Sequence, residues 1–176
     1  MGIENTRWLA AVIAAHPNRE VVGRTRLQKT VWLLQRLGLP TDYVYSLHFY
    51  GPYSEEIKAD IGLAEQFGLV AENPRVGSDG TQYFVLHANA SEVLPDIGHF
   101  RQPLGLLAGE ETTVLELAAT YDAYRKMGLG DEAALSSLRA KKGEKCAGGK
   151  EARALDLLAK LGLAGDSAGT GSALSA

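Results

Sequence analysis

Apolar residues near the N-terminus recur with the spacing of an amphipathic helix. This spacing predicts a first helix from Asn5 to about Ala15 and a second from about Thr25 to Leu37, which Gly38 then ends. On the second helix, a 100° advance per residue places one apolar stripe on Leu27, Thr30, Val31, Leu34 and Leu37. The opposite side carries polar residues and one indole: Gln28, Lys29, Trp32 and Arg36.

The next stretch changes to short apolar runs that are typical of strands. Aromatic and β-branched residues from Tyr43 to Tyr50 predict a strand that Gly51 and Pro52 end. Ser54 then caps a third helix that runs to Phe67, and two further strands flank the turn from Gly77 to Gly80. The order helix, helix, strand, helix, strand, turn, strand predicts a winged-helix-like domain over residues 1–90, in a mainly helical α+β fold.

The second half of the chain reads as helical. Residues 91–110 are rich in Pro and Gly and predict a connector. Three helices follow, from roughly Glu111 to Met127, Asp131 to Lys142 and Gly149 to Leu161. They predict a C-terminal helical subdomain over residues 111–163. The small, polar residues 164–176 predict a disordered tail.

The cysteine content and the N-terminal segment indicate the cellular compartment. The single cysteine, Cys146, rules out a disulfide within the chain and suits a reducing compartment. The N-terminal apolar stretch is too short to span a bilayer and lacks the features of a signal peptide. We therefore expect a cytoplasmic protein that does not associate with membranes.

Residues that could carry catalysis do not form a convincing set. The four histidines are scattered, so we expect no metal site, and no nucleotide motif indicates a cofactor. Carboxylate pairs such as Glu55–Glu56 lie at helix starts, where the helix dipole explains them. The sequence therefore predicts a non-enzymatic protein. A small enzyme that uses Cys146 or His48 is a less favoured alternative.

Basic residues leave DNA binding open. The net charge of −3 gives no global attraction for nucleic acid, and the third helix would present Glu55 and Glu65 to phosphates. Local contacts to DNA are instead expected from Arg24, Arg26 and Lys29 at the start of the second helix, and from Arg75 beside the turn. A second basic group, including Lys142 and Lys145, is either an anion-facing patch or an ordinary solvated helix face.

Trp32 stands out on the polar side of the second helix. An exposed indole between Gln28 and Arg36 has the composition of a protein-interface hot spot, so these three residues are candidate partner contacts. The alternative is that the C-terminal helices cover this side of the helix, which would make Trp32 a core residue.

Two segments resemble a known family. "GRTRLQKTVWLLQ" from Gly23 to Gln35 and "YGPYS" from Tyr50 to Ser54 resemble the uncharacterised YwgA family of bacterial and archaeal proteins. They resemble more distantly the Panacea-domain (SocA-like) proteins, in which a similar Leu-Gln-Lys helix precedes a Gly-Pro elbow. Tyr53 departs from the Panacea pattern, which more often has an aliphatic residue there. The shared marker residues are Leu27, Gln28, Lys29, Tyr50, Gly51, Pro52, Tyr53 and Ser54.

The resemblance implies an interaction role. Panacea-type proteins are associated with toxin–antitoxin pairs, so the leading interpretation is a regulatory or interaction protein, antitoxin-like, whose partner is a toxin or effector from an adjacent gene. A winged-helix DNA-binding transcriptional regulator is the alternative, and a homodimer stays open. We also expect Tyr50 and Tyr53 to brace the Gly-Pro elbow against the second helix.

Overall fold

The computed structural model describes residues 2–89 and 93–164, and within these ranges the fold is α+β, as predicted. Its α-helices are α1 (Ile3–Ala14), α2 (Arg24–Arg36), α3 (Glu55–Gln66), α4 (Arg101–Ala108), α5 (Thr112–Lys126), α6 (Asp131–Lys142) and α7 (Lys150–Lys160). Its strands are β1 (Glu20–Val22), β2 (Ser46–His48), β3 (Gly51–Tyr53), β4 (Val70–Val76) and β5 (Gln82–Ala88). The predicted tail beyond residue 164 lies outside the described residues.

The larger sheet is antiparallel, with the strand order β1-β5-β4. Its register places Val21 opposite Leu86, and both side chains are buried. The sequence did not predict β1, because three residues are too short to display an alternating pattern. The strand forms because β5 supplies the backbone partners that such a short segment needs.

A second, two-stranded sheet consists of β2 and β3 alone. The predicted single strand from Tyr43 to Tyr50 is wrong: the chain pairs His48 with Gly51 and reverses at Phe49 and Tyr50. Gly51 and Pro52 therefore continue the hairpin as β3 instead of ending a strand. Gly51 has a φ of +90°, a conformation that side-chain-bearing residues rarely adopt.

The hydrophobic core surrounds α2 and α5. Helix α5 is buried on nearly all sides from Val114 to Ala123, which is typical of a central helix. It packs against α2, α6, α7 and β3, and so covers the side of α2 opposite its apolar stripe. The predicted connector, residues 91–110, contains α4. Among the described residues no helix is long and apolar enough to cross a membrane.

Candidate interaction site

The two family-like segments meet in the structure, because side chains of α2 hold the backbone of β3 and the residue after it. The Gln28 amide donates to the Ser54 carbonyl at 2.8 Å and accepts from the Ser54 N–H at 3.0 Å. The Lys29 Nζ donates to the Pro52 carbonyl at 2.7 Å. Both side chains are buried, Lys29 with only 1% of its surface exposed. The Leu-Gln-Lys sequence thus positions the Gly-Pro elbow by hydrogen bonds.

Gly51 fixes the hairpin against α5 by close approach. A Cβ atom at this position would lie far inside van der Waals contact with the Thr120 Oγ1 atom. The Thr120 hydroxyl itself donates to the Glu116 carbonyl at 2.6 Å, so it is not free to rotate away without losing that bond. Only glycine satisfies both the positive φ and the contact with α5.

A buried charge cluster lies between α2, α5 and the end of α6. The carboxylate of Glu116 accepts from the Lys142 Nζ at 2.7 Å and from the Lys145 Nζ at 2.9 Å. Burial lowers the pKa of Lys29 to about 8; the nearby Glu116 charge opposes this shift and Lys142 adds to it. Burial also lowers the pKa of Lys142, against the effect of its bond to Glu116. The Glu116 carboxylate is therefore the counter-charge for Lys142 and Lys145, and it also lies near Lys29.

The turn of the β2–β3 hairpin, Phe49 and Tyr50, contacts the lysines of this charge cluster on one side and is exposed to solvent on the other. The Lys142 Nζ donates to the Phe49 carbonyl at 2.5 Å, and the Lys145 Nζ lies 4.8 Å from the centre of the Tyr50 ring. The two aromatic rings form an edge-to-face pair, with 64% of Phe49 and 54% of Tyr50 exposed. The expectation that Tyr50 braces the elbow against α2 is therefore wrong, since its ring faces Phe49 and Lys145, which lies just beyond the end of α6.

Beside the hairpin lies a groove with a volume of about 400 Å³, walled by β2 and the C-terminal end of α5. Trp32 forms its base: the indole is only 7% exposed, donates to Asp122 at 2.9 Å and meets Tyr45 edge-on at 4.9 Å. Arg36 donates to the same carboxylate at 3.0 Å. Val44 and Met127 form exposed apolar walls of the groove.

This geometry corrects the placement of the three predicted partner contacts. Gln28 is buried in its bonds to Ser54, and Trp32 is covered by α5, which is the alternative that the sequence left open. Arg36 is half-buried in its ion pair with Asp122. Helical periodicity alone misplaced these residues because it assumes one buried side, whereas α2 packs against elements on two sides.

The four predicted DNA contacts do not form a basic patch. Arg24 is paired with the carboxylate of Glu72 through its Nε atom at 2.7 Å. The Arg26 guanidinium donates to the carbonyls of Leu107 and Glu110 near the end of α4, and Lys29 is buried beneath Pro52. Arg24 and Arg75 are exposed, but Arg24 is in its ion pair with Glu72 and Arg75 lies apart from it on β4.

The proposed catalytic residues have ordinary structural surroundings. Burial raises the pKa of the Cys146 thiol, which lowers its thiolate fraction at neutral pH. The His48 ring nitrogen Nε2 is 2.8 Å from the Ser46 hydroxyl, on an exposed edge of the hairpin. Within residues 2–89 and 93–164 no group of three or more His, Cys, Asp or Glu side chains could hold a metal ion.

Sequence reasoning missed Glu116 and did not connect Lys142 and Lys145 to the elbow. No short motif links them, because Glu116 lies 26 and 29 positions before its two partners. The available signal was Glu116 itself, the one acidic residue in the otherwise apolar run from Val114 to Ala119, since a charge on a buried helix face requires a partner.

Comparison with known proteins finds a relative for about a third of the chain. No family model matches it. The chain is 43% identical over 53 residues to the uncharacterized protein YwgA of Bacillus subtilis (strain 168). That match covers 30% of this chain and 32% of the relative, so about a third of each protein is compared. The similarity supports the predicted YwgA-like relationship over this stretch, and the distant resemblance to Panacea-domain proteins stays a prediction.

Proposed function

We propose that this protein is a non-enzymatic interaction protein that binds a protein partner through its hairpin face, defined as Phe49 and Tyr50 at the hairpin turn together with Val44, Met127 and the groove that these last two line. The observation that carries the proposal is the exposure of these large apolar side chains on one hairpin and the adjoining helix end. Aromatic residues and methionine are enriched at protein interfaces, and a rigid backbone beneath them limits the entropy lost on binding.

The surroundings of the hairpin face favour a partner with acidic and apolar residues. Lys126 is exposed beside the groove, with its Nζ 5.3 Å from the centre of the Trp32 ring, and half-buried Lys145 lies beside Tyr50. Asp122 is the acidic residue beneath the groove, and it is already bound to Trp32 and Arg36. Positive charge at the edge of an apolar surface favours association with negatively charged partners.

The partner that fits this setting is a toxin or effector encoded next to the gene for this protein. Such a role is implied by the resemblance to Panacea-domain proteins. The order α1, β1, α2, α3, β4, β5, with β1 paired to β5, supports a winged-helix-like arrangement of the N-terminal part, in which the β2–β3 hairpin is an addition between α2 and α3.

Binding to a protein is preferred over DNA recognition because the basic residues that would contact phosphates are engaged elsewhere. Arg24, Arg26 and Lys29 each donate to groups within the chain. Freeing them for DNA would break those bonds, so the electrostatic gain would be offset by the loss of internal contacts.

The test is co-expression of the tagged protein with the products of the adjacent genes, followed by measurement of the dissociation constant. We expect Phe49→Ala to weaken binding by about 30-fold, the effect of a hot-spot residue. The matched control is Phe67→Ala, which removes an equally large exposed ring at the end of α3. Val44→Ala and Val76→Ala form a second pair, one on the hairpin face and one beside the β4–β5 turn.

The pattern across the two pairs decides the outcome. Loss of affinity confined to Phe49→Ala and Val44→Ala supports the hairpin face. Equal losses in both members of each pair, or no complex with any adjacent gene product together with an unchanged deletion phenotype, would contradict the proposal.

A further inference from the structure

A separate cavity of about 800 Å³ lies between the C-terminal end of α1 and helix α4. It shares no lining residue with the groove of the hairpin face. Its volume is in the range of small-molecule sites in proteins. Small residues leave the space open: Ala11, Ala14 and Gly105. Apolar side chains cover much of the remaining wall: Leu94, Ile97 and Leu104.

His16 is the buried polar group of this cavity wall. Its side chain is 5% exposed, and its Nδ1 atom lies 2.8 Å from the Val12 carbonyl. That carbonyl can only accept, so Nδ1 carries a proton; burial lowers the pKa of His16, so the ring is neutral at pH 7 and Nε2 is left as an acceptor. Among the described residues Nε2 has no hydrogen-bond partner. A buried acceptor without a partner costs stability unless a ligand satisfies it.

Positive charge accumulates at the same cavity. Arg19 and Arg101 line it, and none of the described lining residues is acidic. The Arg19 guanidinium donates through Nε to the Ala88 carbonyl and through one Nη to the Asn89 carbonyl, which fixes its position and leaves its other Nη atom without a bond to a described residue. Arg101 is exposed and makes no ion pair with a described residue.

The two helix ends at this cavity do not repel an anion strongly, because their carbonyls are capped. The ring of His16 donates to the Val12 carbonyl at the end of α1. Arg26 donates to the Leu107 carbonyl in the last turn of α4 and to the Glu110 carbonyl just beyond it. Capping offsets the partial negative charge that a helix C-terminus otherwise presents.

We propose that this cavity binds a small organic carboxylate that carries a hydroxyl or N–H donor on an apolar body. The carboxylate pairs with Arg19 and Arg101, the donor reaches the Nε2 atom of His16, and the apolar body packs against the walls from α1 and α4. Lone inorganic anions lack both the donor and the apolar body, so they bind weakly.

The probes are 4-hydroxybenzoate, 4-hydroxyphenylacetate and indole-3-carboxylate, added to the ¹⁵N-labelled full chain. We expect at least one acid to shift the amide resonances of Ala15, His16, Gly105 and Gly109. Benzoate, which lacks the donor, and 4-hydroxybenzamide, which lacks the charge, should each bind about tenfold more weakly than 4-hydroxybenzoate if that acid binds. For each of the other two acids, the controls are the matching compound without the hydroxyl or N–H donor and the matching uncharged amide.

Two variants locate the site. A Cβ on Gly105 meets open space, so Gly105→Leu should fill the cavity, leave the fold intact and reduce binding at least tenfold. Gly62→Leu is the matched control, a helical glycine with equally open surroundings outside the cavity. Arg101→Ala should also weaken the acids about tenfold while leaving the thermal midpoint unchanged.

The proposal is overturned if none of the three acids shifts these amides at millimolar concentration. It is also overturned if the uncharged analogues bind as tightly as the acids, or if Gly105→Leu and Gly62→Leu bind equally well. These outcomes are independent of partner binding by the hairpin face, which Gly105→Leu should leave unchanged.

Discussion

The two hairpins of this protein are stabilised in different ways. The β4–β5 hairpin pairs seven residues on each strand, from Val70 opposite Ala88 to Val76 opposite Gln82, and so has a long backbone ladder of its own. The β2–β3 hairpin pairs three residues on each strand. Buried side chains from α2 and α6 hold its backbone in place, through Gln28, Lys29 and Lys142.

The comparison shows where substitutions should matter. A long ladder distributes its stability over many backbone hydrogen bonds, so the loss of one surface side chain has a small effect. A three-residue hairpin is not stable alone, and its conformation depends on a few buried polar contacts. Matched substitutions in the two hairpins therefore test whether their stabilities have different origins.

The largest contrast should come from removing one acidic charge beside each hairpin. Glu116→Gln leaves Lys142, which is 6% exposed, without a counter-charge, and we expect a loss of about 3 kcal/mol in the free energy of unfolding. Glu72→Gln, on β4, removes the charge that pairs with the exposed Arg24 of α2 and should cost less than about 1 kcal/mol. Urea unfolding of both variants measures the difference; equal costs would contradict it.

A smaller contrast should come from the glycines. Gly51→Ala adds a Cβ at positive φ and against Thr120, and should cost about 3 kcal/mol. Gly80→Ala, in the β4–β5 turn, adds a Cβ at a φ of +79° in open space and should cost about 1 kcal/mol. Combining Gly51→Ala with Thr120→Ala should recover part of the loss. A failure to recover any would exclude contact with Thr120 as the cause.

The smallest contrast should appear in the pH dependence of stability. Lys29 has a pKa of about 8 when folded and an ordinary value of 10.5 when unfolded. Between these values the unfolded state binds more protons, so this lysine makes stability rise with pH, by at most about 1.4 kcal/mol per pH unit. Its contribution is constant below pH 8. Above about pH 10 the buried tyrosines Tyr43 and Tyr45, whose pKa values burial raises, reverse the trend.

Unfolding free energies between pH 7.5 and 9.5 test this dependence. Lys29→Met should flatten the pH profile relative to the wild type. Lys58→Met removes an exposed lysine on α3 and should leave the profile unchanged. If Lys29→Met and the wild type gave parallel profiles, the depressed pKa of Lys29 would be wrong.

Sequence reasoning succeeded where a helix is bounded by local signals. The predicted bounds of α6, Asp131 to Lys142, match the structure, and α5 and α7 agree to within one residue at each end. A glycine follows the end of each of these helices, and α6 and α7 have acidic residues in their first turns, so the signals lie within the local sequence. By contrast, β1 and the β2–β3 hairpin are short and depend on partners distant along the chain, which no local pattern reveals.

The candidate site was predicted in part. The marker residues Gln28, Lys29 and Pro52 do meet, but the sequence placed Lys29 among DNA contacts because a lysine on a polar helix side is usually solvated. Its burial follows from Glu116 and from the packing of α5 over α2. The exposure of Phe49 and Tyr50 was missed, since it depends on where the hairpin turns.

The bond from Lys142 to the Phe49 carbonyl also has a consequence for biosynthesis. Lys142 follows Phe49 by 93 positions, so at roughly 5–20 residues per second the ribosome adds it about 5–20 s later. Until then the nascent chain carries Gln28 and Lys29 but lacks the clamp on the opposite side of the turn. A chain that terminates before α6 therefore retains the aromatic pair without the support that orients it, and should expose these apolar rings on a poorly ordered hairpin, where chaperones bind them.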